Sequence, residues 1–119
     1  MTTFREAFPI LAVDDVARAG EFYVLTFGFD VKYRFPSDGE PDFLFLSLPP
    51  LGIGIGRRRE GEADHAVCLY TDDVDAAAES LRAAGAEEVS APADQAWGER
   101  MTTFRDLDGH VLVIVAPIE

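Results

Sequence analysis

Apolar residues along the 119-residue chain change their spacing in an order that is used twice. The run "ILAV" from Ile10 is followed by Asp14-Asp15-Val16, and then by Val16, Ala19, Phe22, Tyr23 and Phe27 at helical intervals. Half a chain later "CLY" from Cys68 is followed by Asp72-Asp73-Val74, and then by a single helical stripe of Val74, Ala77, Ala78, Leu81 and Ala84. One aspartate of each pair can accept hydrogen bonds from the free amides of a first helical turn, where negative charge also suits the helix dipole. Gly28 and Gly85 follow the two stripes and supply the left-handed residue that closes a helix.

Alternating stretches follow each helix. In "FDVKYRFP" the residues Phe29, Val31, Tyr33 and Phe35 are expected on one strand face, with Asp30, Lys32 and Arg34 on the other. The turn "SDGEP" leads to a strand "DFLFLSL", Pro49-Pro50 interrupts, and "LGIGIG" sets Ile53 and Ile55 against Gly52, Gly54 and Gly56. A strand face without side chains marks weak pairing, a bulge, or close approach by a ligand or another backbone. The charged stretch from Arg57 to Asp64 reads as a solvated boundary. Beyond the second helix the pattern predicts a strand over Glu87 to Ser90, a loop "APADQAWG", a strand "ERMTTFR", a turn "DLDG" and a strand "HVLVIVAP". The expected fold is α+β: two tandem β-α-β-β-β modules, about residues 6–57 and 65–117, within a single domain spanning 1–119.

Charge and chemistry narrow the function. Ten basic against 22 acidic residues give a net charge of −12. Such a surface repels phosphate backbones and anionic lipid, so neither nucleic acid nor membrane is an expected partner, and it favours cationic small molecules. Cys68 is the only cysteine and lies in an apolar run, so a buried, inert thiol is expected. No basic segment precedes a long apolar one, and the protein reads as soluble and cytoplasmic. No phosphate loop, Ser-His-Asp set or cysteine pair offers another chemistry.

The tandem units, with "FPILAVDDVARAGEFYVLTFGF" at the start and "DQAWGERMTTFRDLDGH" near the end, resemble the vicinal oxygen chelate superfamily of glyoxalase I, extradiol dioxygenases, fosfomycin resistance enzymes and bleomycin resistance proteins. The later segment is similar to the bleomycin resistance branch, which carries Gln-Pro-Trp-Gly-x-Arg before Asp-Pro-Asp-Gly; here Ala96 and Leu107 replace the two prolines. The resemblance implies curved mixed sheets around a groove with helices outside, and a homodimer, often with an exchanged N-terminal arm near a proline corresponding to Pro9. Catalytic members hold a divalent metal with His, Gln or Glu. The resemblance places those positions at Phe8, Ala66, Val113 and at or beside Gly54, and none of these side chains ligates a metal. No metal and no cofactor is therefore expected.

The groove expected from this resemblance is lined by Phe8, Ile10, Ala12, Ala66, Cys68, Tyr70, Met101, Thr103 and Val113, with Trp97 at its edge and Phe35, Phe43 and Phe45 as further aromatic candidates. Trp97 offers a large face for stacking on an aromatic ring or a cation. No residue is assigned a catalytic role. The favoured reading is a metal-independent binding protein that sequesters a bleomycin-like or other cationic, aromatic antibiotic and so confers self-resistance. The alternative is a metal-dependent lyase, isomerase or dioxygenase with an atypical site around His65 and His110.

Overall fold

The computed structural model describes residues 3–61 and 63–118, so Glu62 of the expected linker lies outside the described residues. The chain is α+β and runs β1 (Phe4–Val13), α1 (Val16–Phe27), β2 (Asp30–Phe35), β3 (Phe43–Leu48), β4 (Leu51–Arg57), β5 (His65–Thr71), α2 (Val74–Ala83), β6 (Glu87–Asp94), β7 (Glu99–Arg105) and β8 (Val111–Pro117). It forms two compact units, one of Phe8–His65 and one of Met1–Ala7 with Ala66–Glu119.

In the Phe8–His65 unit the strand order is β2-β3-β4-β1. β1 runs parallel to β4, with Ile10 opposite Gly54 and Ala12 opposite Gly56, and the other pairs are antiparallel. The second aspartate of the pair caps α1: Asp15 accepts the Arg18 amide at 3.1 Å, while Asp14 turns to Arg58. Gly28 closes the helix at φ 84°. Val16, Phe29, Leu44, Leu46, Ile53 and Ile55 make the core.

The structure corrects two expectations here. Phe22 and Phe27 of the apolar α1 stripe are 55% and 53% exposed. The buried α1 positions are Val16 and Gly20, and a Cβ on Gly20 would stand 2.4 Å from Leu44 Cδ1. Glycine lets the helix approach β3 so closely that the row of Val16 and Gly20 faces the sheet and Phe22 is turned aside. In β2 the alternation does not persist: Val31 pairs with Leu46 but Tyr33 pairs with Phe45, because the register shifts between Val31 and Tyr33. One extra residue flips the strand. Phe29 and Val31 therefore share the face of Leu46, and Tyr33 and Phe35 that of Phe43 and Phe45.

In the other unit the order is β5-β8-β7-β6, with β5 parallel to β8 and the rest antiparallel. The chain start is tied to the end of β5, where the Thr3 carbonyl accepts the Thr71 hydroxyl at 2.9 Å and Arg5 donates to the Thr71 carbonyl at 3.4 Å. Asp73 caps α2 by accepting the Ala76 amide at 3.1 Å. Gly85, at φ 92°, donates to Arg82, and Ala86 donates to Leu81, closing the last turn. α2 packs on β6, β7 and β8, and it buries Val74, Ala77 and Ala78, while Phe104, Ile114, Thr71 and Thr102 are buried on the strands. The Thr102 hydroxyl donates to the Ser90 carbonyl at 2.7 Å, so its burial leaves no polar group unmet.

β6 is longer than the expected Glu87–Ser90 strand. It continues to Asp94 through two irregularities, between Glu88 and Ser90 and between Ser90 and Ala93. It is the last strand in its order, which is where a proline such as Pro92 can be accommodated without loss of a ladder bond. The loop before β7 shrinks accordingly to Gln95–Gly98. Among the described residues no helix is long and apolar enough to cross a membrane.

Candidate functional site

Each unit presents a sheet face opposite its helix, and the nine sequence-selected binding residues divide between the two. In the unit containing β5, strand pairing makes cross-strand rows. Cys68, Val113 and Thr103 form one row, and Tyr70, Val115 and Met101 the next. Their partners in alternation, Thr71, Thr102, Phe104 and Ile114, are buried on the helix side. Tyr70, Met101 and Thr103 thus lie together, as the strand periodicity predicts.

Trp97 stands on the turn that enters this face. Gly98, at φ 95°, donates its amide to the Gln95 carbonyl at 3.1 Å, and Gln95 donates to the Glu99 carbonyl at 2.7 Å. Positive φ at Gly98 allows the tight reversal and sets Trp97 at its crest, 38% exposed. The indole Nε1–H donates to Glu99 Oε1 at 2.8 Å, and the Tyr70 hydroxyl donates to Glu99 Oε2 at 2.6 Å. One carboxylate therefore accepts from both aromatic residues, through its two oxygens.

This face is electronegative. Burial pushes the Cys68 thiol up to about 12, and the charges of Glu99 and Glu6 add to the shift. Burial also raises the Tyr70 hydroxyl above its ordinary range, reinforced by the hydrogen bond to Glu99 and by the charges of Glu99, Cys68 and Glu6. The arginines of this unit are engaged elsewhere: Arg5 with the Thr71 carbonyl, Arg82 with Glu88, Arg100 with Asp75 and Asp94, Arg105 with Glu87. Among the described residues no ion pair joins Glu99 or Glu6 to a lysine or arginine. Cys68 is buried and its thiolate disfavoured, which suits packing rather than nucleophilic chemistry.

The Phe8–His65 unit has an aromatic face. Ile10, Gly54, Phe45 and Tyr33 form one row, and Ala12, Gly56, Phe43 and Phe35 the next. The glycines are not bare floor: a Cβ on Gly54 would meet Phe43 Cζ at 2.9 Å and Ile10 Cγ1 at 3.0 Å. Phe8 is buried and meets Phe45 edge-on with centroids 4.8 Å apart. Phe8, Ile10, Phe35, Phe43 and Phe45 thus belong to one surface, which Tyr33 joins.

The two histidines are placed less favourably for chemistry. His65 opens β5, exposed, with the parity of Val67 rather than of Ala66 and Cys68. His110 sits in the turn before β8, its Nδ1 3.0 Å from Asp106 Oδ2. Asp106 also accepts the amides of Asp108 and His110, and these bonds hold its carboxyl below the usual range, the His110 amide contributing most. That is the chemistry of a stabilised turn. Among the described residues no group of three or more His, Cys, Asp or Glu side chains is arranged to hold a metal.

A family model described as the Glyoxalase/Bleomycin resistance protein/Dioxygenase superfamily matches residues 6–114. The chain belongs to this superfamily. The fold agrees with that of a superfamily member from Vibrio splendidus 12B01, at TM-score 0.70 and 19% identity over 96% of this chain and 99% of that one. Methylmalonyl-CoA epimerase from Streptomyces coelicolor, in complex with 2-nitronate-propionyl-CoA, aligns at TM-score 0.76 and 21% identity over 98% and 100%. An NAD-dependent benzaldehyde dehydrogenase structure from Legionella pneumophila aligns at 0.77 and 17% over 94% and 99%. At these identities the likeness shows a shared fold alone. No curated protein matches the chain.

Glu99 and Tyr33 were not singled out by sequence reasoning. Glu99 could have been found from strand parity, since it precedes Met101 and Thr103 by even steps and follows Trp97 by two residues. Tyr33 could have been found from its alternation with Phe35, whereas its separation from Phe29 and Val31 depends on the β2 irregularity, which no sequence pattern announces.

Proposed function

We propose that this protein binds a planar small molecule carrying a positive charge, of the kind represented by bleomycin-like or intercalating antibiotics, and holds it without transforming it. The observation that carries the reading is the half-exposed Trp97 ring beside the Glu99 carboxylate, which is in no ion pair with a lysine or arginine among the described residues. An aromatic face next to a carboxylate that holds two neutral donors suits stacking and a charge contact in one ligand. The side chains Phe8, Ala66 and Val113, at the positions where the resemblance expects metal ligands, support binding without a metal. We propose further that the protein acts as a homodimer, a reading supported by exposed apolar residues such as Leu25 and Leu51.

Titration with bleomycin and with a quinoxaline peptide antibiotic, followed by the fluorescence of the single tryptophan, tests the reading. Saturable quenching with a Kd below about 1 mM, lost in Trp97→Ala, and recovery of the unaltered drug are expected. No quenching by either drug, or binding that Trp97→Ala leaves intact, would overturn it. Sedimentation of the ligand-free protein as a monomer at tens of micromolar would overturn the dimer.

A further inference from the structure

We propose that Glu99 is a positioning residue: through its two oxygens it fixes the Trp97 indole and the Tyr70 phenol as one unit, so that a ligand meets a tryptophan ring already held in its binding orientation. The inference rests on the binding role of Trp97 but concerns what sets the ring's geometry.

The backbone under Trp97 is well determined. The Gln95–Gly98 turn closes through the Gly98-to-Gln95 and Gln95-to-Glu99 bonds, and Ile118 donates to the Gly98 carbonyl at 2.9 Å. Those bonds fix the direction of the Cα–Cβ bond and leave the side-chain torsions free. Trp97 is 38% exposed, and none of the close ring pairs among the described residues includes it. The indole N–H bond to Glu99 at 2.8 Å constrains those torsions, and a charged acceptor makes that bond stronger than a neutral one. Glu99 would itself be a mobile side chain at the end of a strand. The Tyr70 hydroxyl, 2.6 Å from the other oxygen, ties it down. Tyr70 lies in β5 and Glu99 in β7, with β8 between them, so the anchoring passes from β5 across β8 to the turn. A ring ordered in advance spares the ligand the cost of ordering it.

The single tryptophan gives a direct readout, because the 1H–15N spectrum of the uniformly labelled protein contains one indole signal. In the ligand-free protein that signal is expected downfield and slow to exchange with water. Glu99→Ala should move it upfield and speed its exchange about tenfold or more, whereas Glu99→Gln, which keeps an acceptor, should restore most of the protection. With bleomycin as the probe, Glu99→Ala should weaken binding about tenfold beyond Glu99→Gln. Backbone dispersion like that of the wild type identifies folded variants, and the glutamine variant, which keeps both shape and acceptor, serves if the alanine variant does not fold. Indole shift and exchange unchanged in Glu99→Ala, or as altered in Glu99→Gln as complete loss of the bond would make them, would overturn the proposal. Equal loss of bleomycin binding in both variants with the indole bond retained in Glu99→Gln would also overturn it, by assigning Glu99 to charge alone. Binding that survives Trp97→Ala instead removes the functional reading and leaves the indole result standing.

Discussion

The ring of Phe45 occupies the space where Gly52 would carry a side chain: a Cβ on Gly52 would lie 2.4 Å from Phe45 Cζ and 3.0 Å from Cε1. The glycines of β4 are thus complementary to the phenylalanines of β3, and the aromatic face depends on them. Gly52→Ala is expected to push the Phe45 ring off the strand, disturb its edge-on contact with Phe8, and cost about 1–3 kcal/mol in urea unfolding. Combining Gly52→Ala with Phe45→Ala should cost clearly less than the sum of the two single changes, because removing the ring removes the clash. Additive costs would mean that ring and glycine are independent.

Paired aspartates at the helix starts should differ in value. Asp15→Ala and Asp73→Ala each remove an accepted amide bond at a helix N-terminus and are expected to cost about 1 kcal/mol. Asp14→Ala breaks only an exposed pair with Arg58 and should cost less than about 0.5 kcal/mol. Asp72→Ala should exceed Asp14→Ala, since Asp72 accepts the Thr3 amide at 3.1 Å. Equilibrium unfolding of the four variants ranks them, and Asp14 ranking above Asp15 would contradict the capping geometry.

Alkaline pH should destabilise the protein in a way traceable to Cys68. Its folded-state pKa is raised from 9.0 to about 12, so above the unfolded value the unfolded chain loses a proton that the folded one keeps. Stability from this group is complete below about pH 9 and is lost as the pH rises towards 12, with a limiting slope of about 1.4 kcal/mol per pH unit. Tyr70, shifted in the same direction, adds to the loss at higher pH. In unfolding curves from pH 8 to 11, Cys68→Ala should flatten the decline. Parallel declines for the wild type and Cys68→Ala would show that the thiol is not the linked group.

The α1 surface provides a contrast between pattern and placement. Phe22→Ser and Leu25→Ser should each change unfolding free energy by no more than about 0.5 kcal/mol, since Phe22 is 55% and Leu25 77% exposed. Phe29→Ala, at a buried core position, should cost about 3–5 kcal/mol. Similar costs for Phe22 and Phe29 would indicate that the exposed ring is covered in solution.

Much of the fold was legible because its signals are local. Asp-Asp-Val, the terminal glycines and the α2 stripe are each written within a few residues, and so is the alternation that puts Tyr70, Met101 and Thr103 on one face. What escaped depends on partners distant in the chain. Gly20 sits mid-helix because Leu44 lies against it, and this turned Phe22 outward. The β2 irregularity is defined by pairing with β3, and β6 outran its expected end because an edge strand tolerates Pro92. In the candidate site, Trp97 drew attention as the only tryptophan, but Glu99 read as an ordinary strand residue. Its role comes from Tyr70, 29 positions away in sequence.

β1 is divided between the two units, Phe4–Ala7 belonging to one and Phe8–Val13 to the other. The repeat visible in the sequence is therefore not the piece into which the molecule can be cut. A protease nick in the polar stretch around Arg57 to Asp64 would separate the two sequence copies, yet the N-terminal fragment would carry away residues that close the far end of β5 through Thr71. Co-expressed fragments divided there should be recovered as a complementing pair, and the C-terminal copy should not persist as a folded product without the N-terminal one.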